Sequence, residues 1–272
     1  MKRFRWLKNK KVIFSLVLSA FLAFGGWALY AYNNRVMPQS AIYFLNDVHS
    51  PEAGDKILVF SPHPDDETIG VGGYIYEAEK AGAEVKIVLA TDGNKQGLRD
   101  QRYAEFKQAT EILGVKQSNL VFLGHSDGSL STVNENSLRQ EFQMAIDNFQ
   151  PNIVFYPYPH DDHPDHAYTG QIVEKMLENS TAISYQFLIH DNYYPRPQRY
   201  VPDDYLLPPI KLVTFDKEWQ RFLVKPETEV KEKEASEVYK SQLKNPLIKV
   251  LFFSTIRKNE LFIAIGSNLG GN

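Results

Sequence analysis

Two short segments of the chain combine histidines with carboxylates at close spacing. They are SPHPDDE at residues 61–67 and HDDHPDH at residues 160–166, and they hold four of the seven histidines. Cysteine is absent, so two imidazoles and one carboxylate form the catalytic metal site that remains available. Such a set suits Zn²⁺ and leaves a position for water, whose pKa the ion lowers toward ~7. A second carboxylate can accept that proton, so the adjacent Asp65 and Asp66 offer one ligand and one base.

A plainer explanation covers part of this pattern. Acidic residues and proline are common in the first turn of a helix, where they match its dipole. That accounts for the acids and prolines of both segments. It does not account for His63, His163 and His166, because an imidazolium is disfavoured at a helix N-terminus. Neutral imidazoles bound to a cation explain them better.

Short apolar strands alternate with helices from Lys56 onward. The predicted strands are 56–60, 84–91, 119–124, 152–157 and 184–190. One predicted helix follows the first strand and ends near Lys80, and three others span 99–113, 134–149 and 164–179. This alternation predicts an α/β fold with a mainly parallel sheet covered on both faces, in a Rossmann-like, doubly wound arrangement. No GxGxxG follows the first strand, so dinucleotide binding is not supported.

The predicted topology brings the two segments together. They follow the first and fourth predicted strands, which are neighbours in the 3-2-1-4-5 strand order of such sheets. Loops at the carboxyl ends of these strands face one crevice. We therefore expect residues about a hundred positions apart to share one site.

The pair PHPDDE and HPDH resembles the PIG-L/LmbE-like de-N-acetylases. The resemblance runs from about residue 56 to 190 and includes Thr91-Asp92-Gly93 and Asp127-Gly128. It implies a Rossmann-like fold and a zinc-dependent removal of acetyl groups from N-acetylglucosamine in conjugates, with another divalent metal possible in place of zinc. The implied metal ligands are His63, Asp66 and His166.

The resemblance also implies roles for the neighbouring residues. Asp65 would be the general base, and His163, protonated or hydrogen-bonding, would stabilise the tetrahedral oxyanion with Asp165 orienting it. Arg102 and Asp127 match positions that contact the sugar, although Arg102 could instead pair with Glu105 on its own helix and Asp127 could sit in a plain turn. His190 is the third candidate substrate residue, and a role in the core or as a helix cap is weighted equally for it.

The N-terminal segment differs sharply from the rest in charge. Residues 1–35 hold seven basic side chains and no acid, whereas residues 36–272 hold 23 basic and 33 acidic side chains, a net charge of −10. An acidic body is a poor partner for nucleic acid. We expect a basic cytoplasmic segment at 1–11 and, because residues 12–34 carry no charge, a transmembrane anchor at 12–32.

Clustered positive charge before the span places the catalytic domain outside the cell membrane, as a single-pass protein. A cleaved signal peptide is the alternative, with Ala23-Phe24-Gly25 as a weak cleavage site. Residues 33–54 are predicted to be a linker and residues 55–272 the deacetylase domain. Within it, 191–209 is expected to be a surface loop and 225–243 a solvated charged helix, while 247–265 has no clear pattern.

The sequence therefore predicts a metal-dependent hydrolase that removes N-acetyl groups from N-acetylglucosamine-type sugars in a glycolipid or envelope glycan. Two alternatives remain: a hydrolase of another bond such as an acetyl ester, and a non-catalytic protein that binds metal or sugar. The second carboxylate, Asp65, argues against the non-catalytic protein, because a metal store needs no base.

Overall fold

The computed structural model describes residues 10–33, 35–95, 97–192 and 194–265. Most of the predicted basic segment, residues 1–9, lies outside this range. The first helix, α1 (Lys10–Asn33), is long and apolar enough to cross a bilayer, and its most apolar stretch is not buried by the rest of the described chain. Its aromatic residues Trp27, Tyr30 and Tyr32 are exposed near its C-terminal end.

An eight-stranded mixed sheet forms the centre of the domain within the described residues. Its strands are β1 (Asn46–Asp47), β2 (Lys56–Ser61), β3 (Glu84–Thr91), β4 (Leu120–His125), β5 (Ile153–Pro157), β6 (Ile183–Phe187), β7 (Glu218–Leu223) and β8 (Asn259–Ile265). The remaining helices are α2 (Asp66–Ala81), α3 (Arg99–Ile112), α4 (Glu135–Phe149), α5 (Pro164–Leu177), α6 (Pro226–Val238), α7 (Lys240–Leu243) and α8 (Pro246–Thr255).

The strand order is β1-β7-β8-β6-β5-β2-β3-β4. The five strands predicted from sequence are β2 to β6, and they lie in the expected 3-2-1-4-5 order. The sheet is mixed because β8 pairs antiparallel with both β6 and β7. The stretch 247–265, which has no clear sequence pattern, supplies α8 and this antiparallel strand.

Side chains of the central strands alternate between two apolar layers. Ile57 and Val59 of β2 pack on one side with residues of α2 and α3. Leu58 and Phe60 pack on the other side with residues of α4 and α5 such as Phe142. Because successive side chains point to opposite faces, a strand apolar at every position requires cover on both. The helices on the two faces of the sheet therefore hold β2 and β5 in place at its centre.

The segment predicted to be a linker, 33–54, differs from that expectation. A 3-10 helix at Gln39–Phe44 buries Ala41 and Ile42 against Leu207, and β1 adds to the sheet beside β7. Before it, residues 35–37 pair with 208–210: the Met37 amide donates to the Pro208 carbonyl, and the Ile210 amide donates to the Arg35 carbonyl. The apolar side chains at 41, 42 and 45 give this stretch a face to bury, which a linker would lack.

The charged helix predicted at 225–243 is α6 followed by α7, and it is not wholly solvated. Thr228, Glu232 and Ala235 are buried on the side of α6 that faces α2. The Glu260 carboxylate of β8 accepts hydrogen bonds from the Gly73 and Tyr74 amides of α2 beside it. The C-terminal segment therefore covers the helix that begins at the PHPDDE motif.

The helix α5, which begins in the second motif, packs against backbone at Gly170. A Cβ at Gly170 would overlap the Pro157 carbonyl oxygen and lie 3.0 Å from the Pro159 Cα. Backbone cannot move aside as the end of a long side chain can. Glycine at this position therefore sets how closely α5 approaches the end of β5.

We predict that Gly170→Ala destabilises the domain by about 1–3 kcal/mol, because the new methyl group forces backbone apart. Denaturant unfolding monitored by circular dichroism measures this change. Gly72→Ala in α2 is the matched control, since its Cβ would find its nearest neighbour, the Glu232 Cγ, at 3.5 Å. That variant should be neutral or more stable by up to ~1 kcal/mol. Equal stability of the two variants would contradict the packing described.

Candidate active site

The two motifs meet at the carboxyl ends of adjacent strands. β2 and β5 pair in parallel, with Val59 opposite Phe155. The chain therefore leaves both strands at the same edge of the sheet, β2 into residues 61–67 and β5 into residues 160–166. Their side chains converge on one crevice, as the predicted topology requires.

Three nitrogen and oxygen atoms form a tight triangle in this crevice. The His63 Nδ1 lies 3.1 Å from the Asp66 Oδ2 and 3.2 Å from the His166 Nε2. The His166 Nε2 lies 3.0 Å from the same Asp66 oxygen. Atoms that bind one zinc ion at about 2.0–2.1 Å are only slightly farther apart than this. The residues therefore fit a divalent metal ion in donor chemistry and in spacing.

Other combinations of the same side chains also approach one another. Potential ligand atoms lie within 4.8 Å of each other in the set His63, His163, His166 and in the set Asp66, His166, His190. A third such set is His63, Asp127, Asp165. In the His63–Asp66–His166 triangle all three distances between ligand atoms lie between 3.0 and 3.2 Å, which suits a single ion.

Charge in the triangle favours a cation. Burial alone would raise the pKa of Asp66, but the adjacent His166 and His63 lower it well below its usual range. Burial opposes the protonation of His63, yet the Asp66 charge and hydrogen bonds to Asp165 and Asp66 raise its pKa to about 9. The pKa of His166 is raised for a similar reason, because Asp66 and Asp161 outweigh its burial. Positive charge is thus stabilised between these side chains.

A second carboxylate lies behind each imidazole of the triangle. The Asp165 Oδ2 lies 3.1 Å from the His63 Nε2 and also accepts the Gly128 amide. Asp165 was expected to orient His163, but its carboxylate contacts His63, and only its backbone amide donates to His163. The Asp165 carboxylate instead extends to the loops that follow β2 and β4, where it contacts His63 and accepts the amides of Gly128 and Leu130.

The carboxylate behind His166 belongs to Asp161, which our sequence analysis did not single out. The Asp161 Oδ2 lies 3.5 Å from the His166 Nδ1 and accepts the amides of Ile189 and His190. Carboxylates in such places fix the orientation of metal-binding imidazoles. The doubled acid Asp161-Asp162 before His163 was the available signal.

The predicted base, Asp65, lines the cavity beside the triangle. Its Oδ2 accepts a hydrogen bond from the Arg102 Nη2 at 3.0 Å. Burial raises the pKa of Asp65 to about 7, against the lowering effect of Arg102. A carboxylate with this pKa can take up and release a proton near neutral pH.

Arg102 is buried and serves two carboxylates. Besides Asp65, its guanidinium donates to the Asp127 Oδ2 at 3.2 Å and to the Pro64 carbonyl. It does not pair with Glu105, the alternative left open by the sequence. Gly93 makes the approach possible, because a Cβ there would lie 3.0 Å from both the Arg102 Cδ and the Pro64 Cγ. Both Arg102 and Asp127 line the cavity, where they could also contact a ligand.

His163 lies at the N-cap of α5, with its ring 4.6 Å from the His63 ring. Burial and the neighbouring His63 and His166 lower the pKa of His163 to about 4. The ring is therefore neutral, and its Nδ1 accepts the Asp165 amide. A neutral ring that accepts at Nδ1 carries its proton at Nε2. An acceptor Nδ1 corresponds to the hydrogen-bonding form of His163 that the resemblance implies.

These side chains open into a cavity of about 290 Å³. His190 lines it and is half-buried, and burial lowers its pKa. Its lining includes both polar and apolar side chains. The apolar part, called the apolar wall below, includes Ile69, Leu98 and the α8 residues Ile248 and Leu251. Ile248 and Leu251 lie in the stretch 247–265, in which no sequence pattern indicates a function.

Two sequence comparisons with known proteins agree on the family. The sequence profile of the GlcNAc-PI de-N-acetylases, PIG-L, matches residues 58–177. Diacetylchitobiose deacetylase of Thermococcus kodakarensis is 36% identical over 128 residues, which are 42% of this chain and 46% of that protein. The Bacillus anthracis protein named "Probable N-acetyl-alpha-D-glucosaminyl L-malate deacetylase 2" is 30% identical over 154 residues, 50% of this chain and 67% of that protein.

The fold has the same relatives. The structure of N,N'-diacetylchitobiose deacetylase from Pyrococcus horikoshii, in complex with its inhibitor MPG, matches with a TM-score of 0.56 and 22% identity. The match covers 78% of this chain and 84% of that one. In sequence, the chain spans about half the length of the Thermococcus relative. The shared motifs, profile and fold place this chain in the GlcNAc-PI de-N-acetylase family, PIG-L.

Proposed function

We propose that the protein is a metal-dependent deacetylase of N-acetylglucosamine-type sugars. The observation that carries this proposal is the triangle of His63, Asp66 and His166, with Asp65 beside it in the same cavity. The named relatives support the choice of an acetylated amino sugar, because they are a diacetylchitobiose deacetylase and an N-acetylglucosaminyl malate deacetylase. Zinc is the metal we propose, held by the three triangle residues.

When bound, such an ion acts as a Lewis acid that polarises the acetyl carbonyl and makes water a better nucleophile. The chain supplies the proton transfers. Asp65 accepts a proton from the attacking water as the new C–O bond forms. The same carboxyl then gives the proton to the amine nitrogen as the C–N bond breaks, so that acetate and a free amino sugar are released.

His163 is placed to stabilise the charge that develops on the carbonyl oxygen. Its neutral ring carries the Nε2 proton, and its orientation is set by the Asp165 amide. Placed donors of this kind contribute about 3–4 kcal/mol to transition-state stabilisation in hydrolases. Arg102 keeps Asp65 in position, and Asp127 and His190 line the space left for the sugar.

We also propose that the substrate carries an apolar group, as a glycolipid does. The support is the part of the apolar wall formed by Ile248 and Leu251, which line the same cavity as the polar groups. A purely polar glycan would leave these side chains facing water. An apolar aglycone would bury them, at roughly 25 cal/mol per Å² of covered surface.

A separate set of features, in and before α1, supports a membrane location. We propose that α1 anchors the protein and that the domain lies outside the cytoplasm. The uncharged length of α1, its aromatic C-terminal end and the basic residues that precede it support this orientation.

Two substitutions should separate metal binding from proton transfer. The purified protein should release acetate from N-acetylglucosamine conjugates, and a chelator should abolish this release. His166→Ala should lower bound metal, measured by inductively coupled plasma mass spectrometry. Asp65→Asn should keep the metal but lower kcat by about 100-fold or more, because general base catalysis contributes 10²–10⁴-fold.

His125→Ala serves as the control, since His125 pairs with Glu141 outside the cavity and should change neither quantity. Release of acetate from acetyl esters alone would favour the ester hydrolase alternative. Full activity of Asp65→Asn would remove the proposed base.

The apolar wall can be tested by substrate choice. Leu251→Ser should raise KM roughly tenfold for an N-acetylglucosamine linked to an alkyl or lipid aglycone, since a buried leucine contributes about 1.5–3 kcal/mol. It should leave KM for diacetylchitobiose nearly unchanged. Leu247→Ser is the matched control, because Leu247 lies on the same helix but is 80% exposed. An equal rise in KM for both substrates would contradict the proposed lipid contact.

Orientation in the membrane can be tested with a single cysteine, because the chain has none of its own. Met144→Cys places a thiol at an exposed site on α4. A membrane-impermeant maleimide should label it in intact spheroplasts. Labelling only after lysis would show that the domain is cytoplasmic, and recovery of the labelled protein in the medium would show that α1 is removed.

A further inference from the structure

The backbone at Asp65 is held in an uncommon conformation. Its φ is 138° and its ψ is −26°, and it lies at the N-cap of α2. Residues with a side chain rarely adopt a positive φ, and such a conformation persists only where surrounding contacts hold it. The side chain of the proposed base is aimed into the cavity from this strained position. The contacts that hold its backbone therefore bear on its function.

Glu67 provides one of these contacts. Its side chain is fully buried, and its Oε2 accepts the Asp65 amide and the Ser61 hydroxyl, both at 3.2 Å. One carboxylate thus connects the end of β2 with the strained residue. Glu67 does not line the cavity, so its position suits support of the base rather than contact with a ligand.

The other oxygen of Glu67 is bound by a residue distant in sequence. The Tyr239 hydroxyl donates to the Glu67 Oε1 at 2.5 Å, and the Thr68 hydroxyl donates to the same oxygen at 2.6 Å. Tyr239 is fully buried at the C-terminal end of α6. It lies outside residues 58–177, the part matched by the family profile.

A parallel contact lies two residues further on. The Ser241 hydroxyl and amide both donate to the Glu105 carboxylate, at 2.5 and 2.9 Å. Glu105 is on α3, one turn after Arg102, whose guanidinium binds the Asp65 carboxylate. The junction of α6 and α7 therefore contacts two helices near Asp65. One is α2, whose N-cap is Asp65, and the other is α3, which carries its charge partner Arg102.

We propose that Tyr239 is a positioning residue for the base: through Glu67 it holds the Asp65 backbone in the conformation that aims the carboxylate into the cavity. This inference rests on the proposed function, in which Asp65 transfers the proton. Tyr239 acts through another residue and touches no reacting atom. Its contribution should therefore appear in kcat, with little effect on substrate affinity.

The first measurement is steady-state kinetics of Tyr239→Phe. The variant loses the hydroxyl but keeps the ring, which packs against Phe252 with 5.5 Å between ring centroids. We expect kcat to fall between about 10- and 100-fold, since a small misplacement of a catalytic group has effects of that size. KM and metal content should stay within about twofold of the wild type.

Two further variants separate positioning from general stability. Tyr156→Phe removes another buried tyrosine hydroxyl, one that accepts from Gln186 on the neighbouring strand, and should leave kcat unchanged. In an Asp65→Asn background, Tyr239→Phe should cause no further loss, because the base it positions is already absent. An unchanged kcat in Tyr239→Phe, or an equal further loss in the Asp65→Asn background, would overturn the proposal.

Hydrogen exchange gives a readout that needs no turnover. The Asp65 amide should exchange at least about fivefold faster in the full-length Tyr239→Phe protein than in the wild type or in Tyr156→Phe, because its acceptor is less firmly held. If the wild type releases no acetate, the proposed function fails, whereas this comparison still decides whether Tyr239 holds the Asp65 backbone. Equal protection of the Asp65 amide in all three proteins would overturn it.

Discussion

Asp66 keeps an ionised carboxylate almost entirely out of water, and such burial is costly unless positive charge lies against it. Here the compensation comes from His63, three residues earlier, and from His166, one hundred residues later. The carboxylate therefore stays charged only if β2 and β5 are neighbours and α5 packs closely enough to bring His166 into reach. The apolar layers on both faces of the sheet and the glycine at position 170 meet that demand.

The two adjacent aspartates of the first motif have pKa shifts of opposite direction, because their surroundings differ. Asp66 lies between imidazoles, and its pKa is lowered; Asp65 is buried beside other carboxylates with Arg102 as its cationic partner, and its pKa is raised to about 7. The first is suited to hold a cation and the second to exchange a proton. The positive φ at Asp65 allows the carboxylates of two consecutive residues, Asp65 and Asp66, to lie in different surroundings.

Much of this arrangement could be predicted from the sequence, because it depends on local patterns. Apolar strands alternating with helices predicted β2 to β6 in their order, and this order predicted that the two histidine-containing motifs converge. The contact of Asp165 with His63 and the support of His166 by Asp161 could not be predicted, because they depend on side-chain directions at loop ends. The contacts of Tyr239 and α8 could not be predicted either. They lie after the regular alternation of strands and helices ends, and their partners are set by tertiary packing.

The antiparallel pairing of residues 35–37 with 208–210 has a consequence for encounter with substrate. Only one residue separates the end of α1 at Asn33 from this segment, which pairs with the body of the domain. With α1 in a bilayer, as proposed, the domain would stay close to the lipid surface. A substrate embedded in the same leaflet would then reach the domain by lateral diffusion in two dimensions.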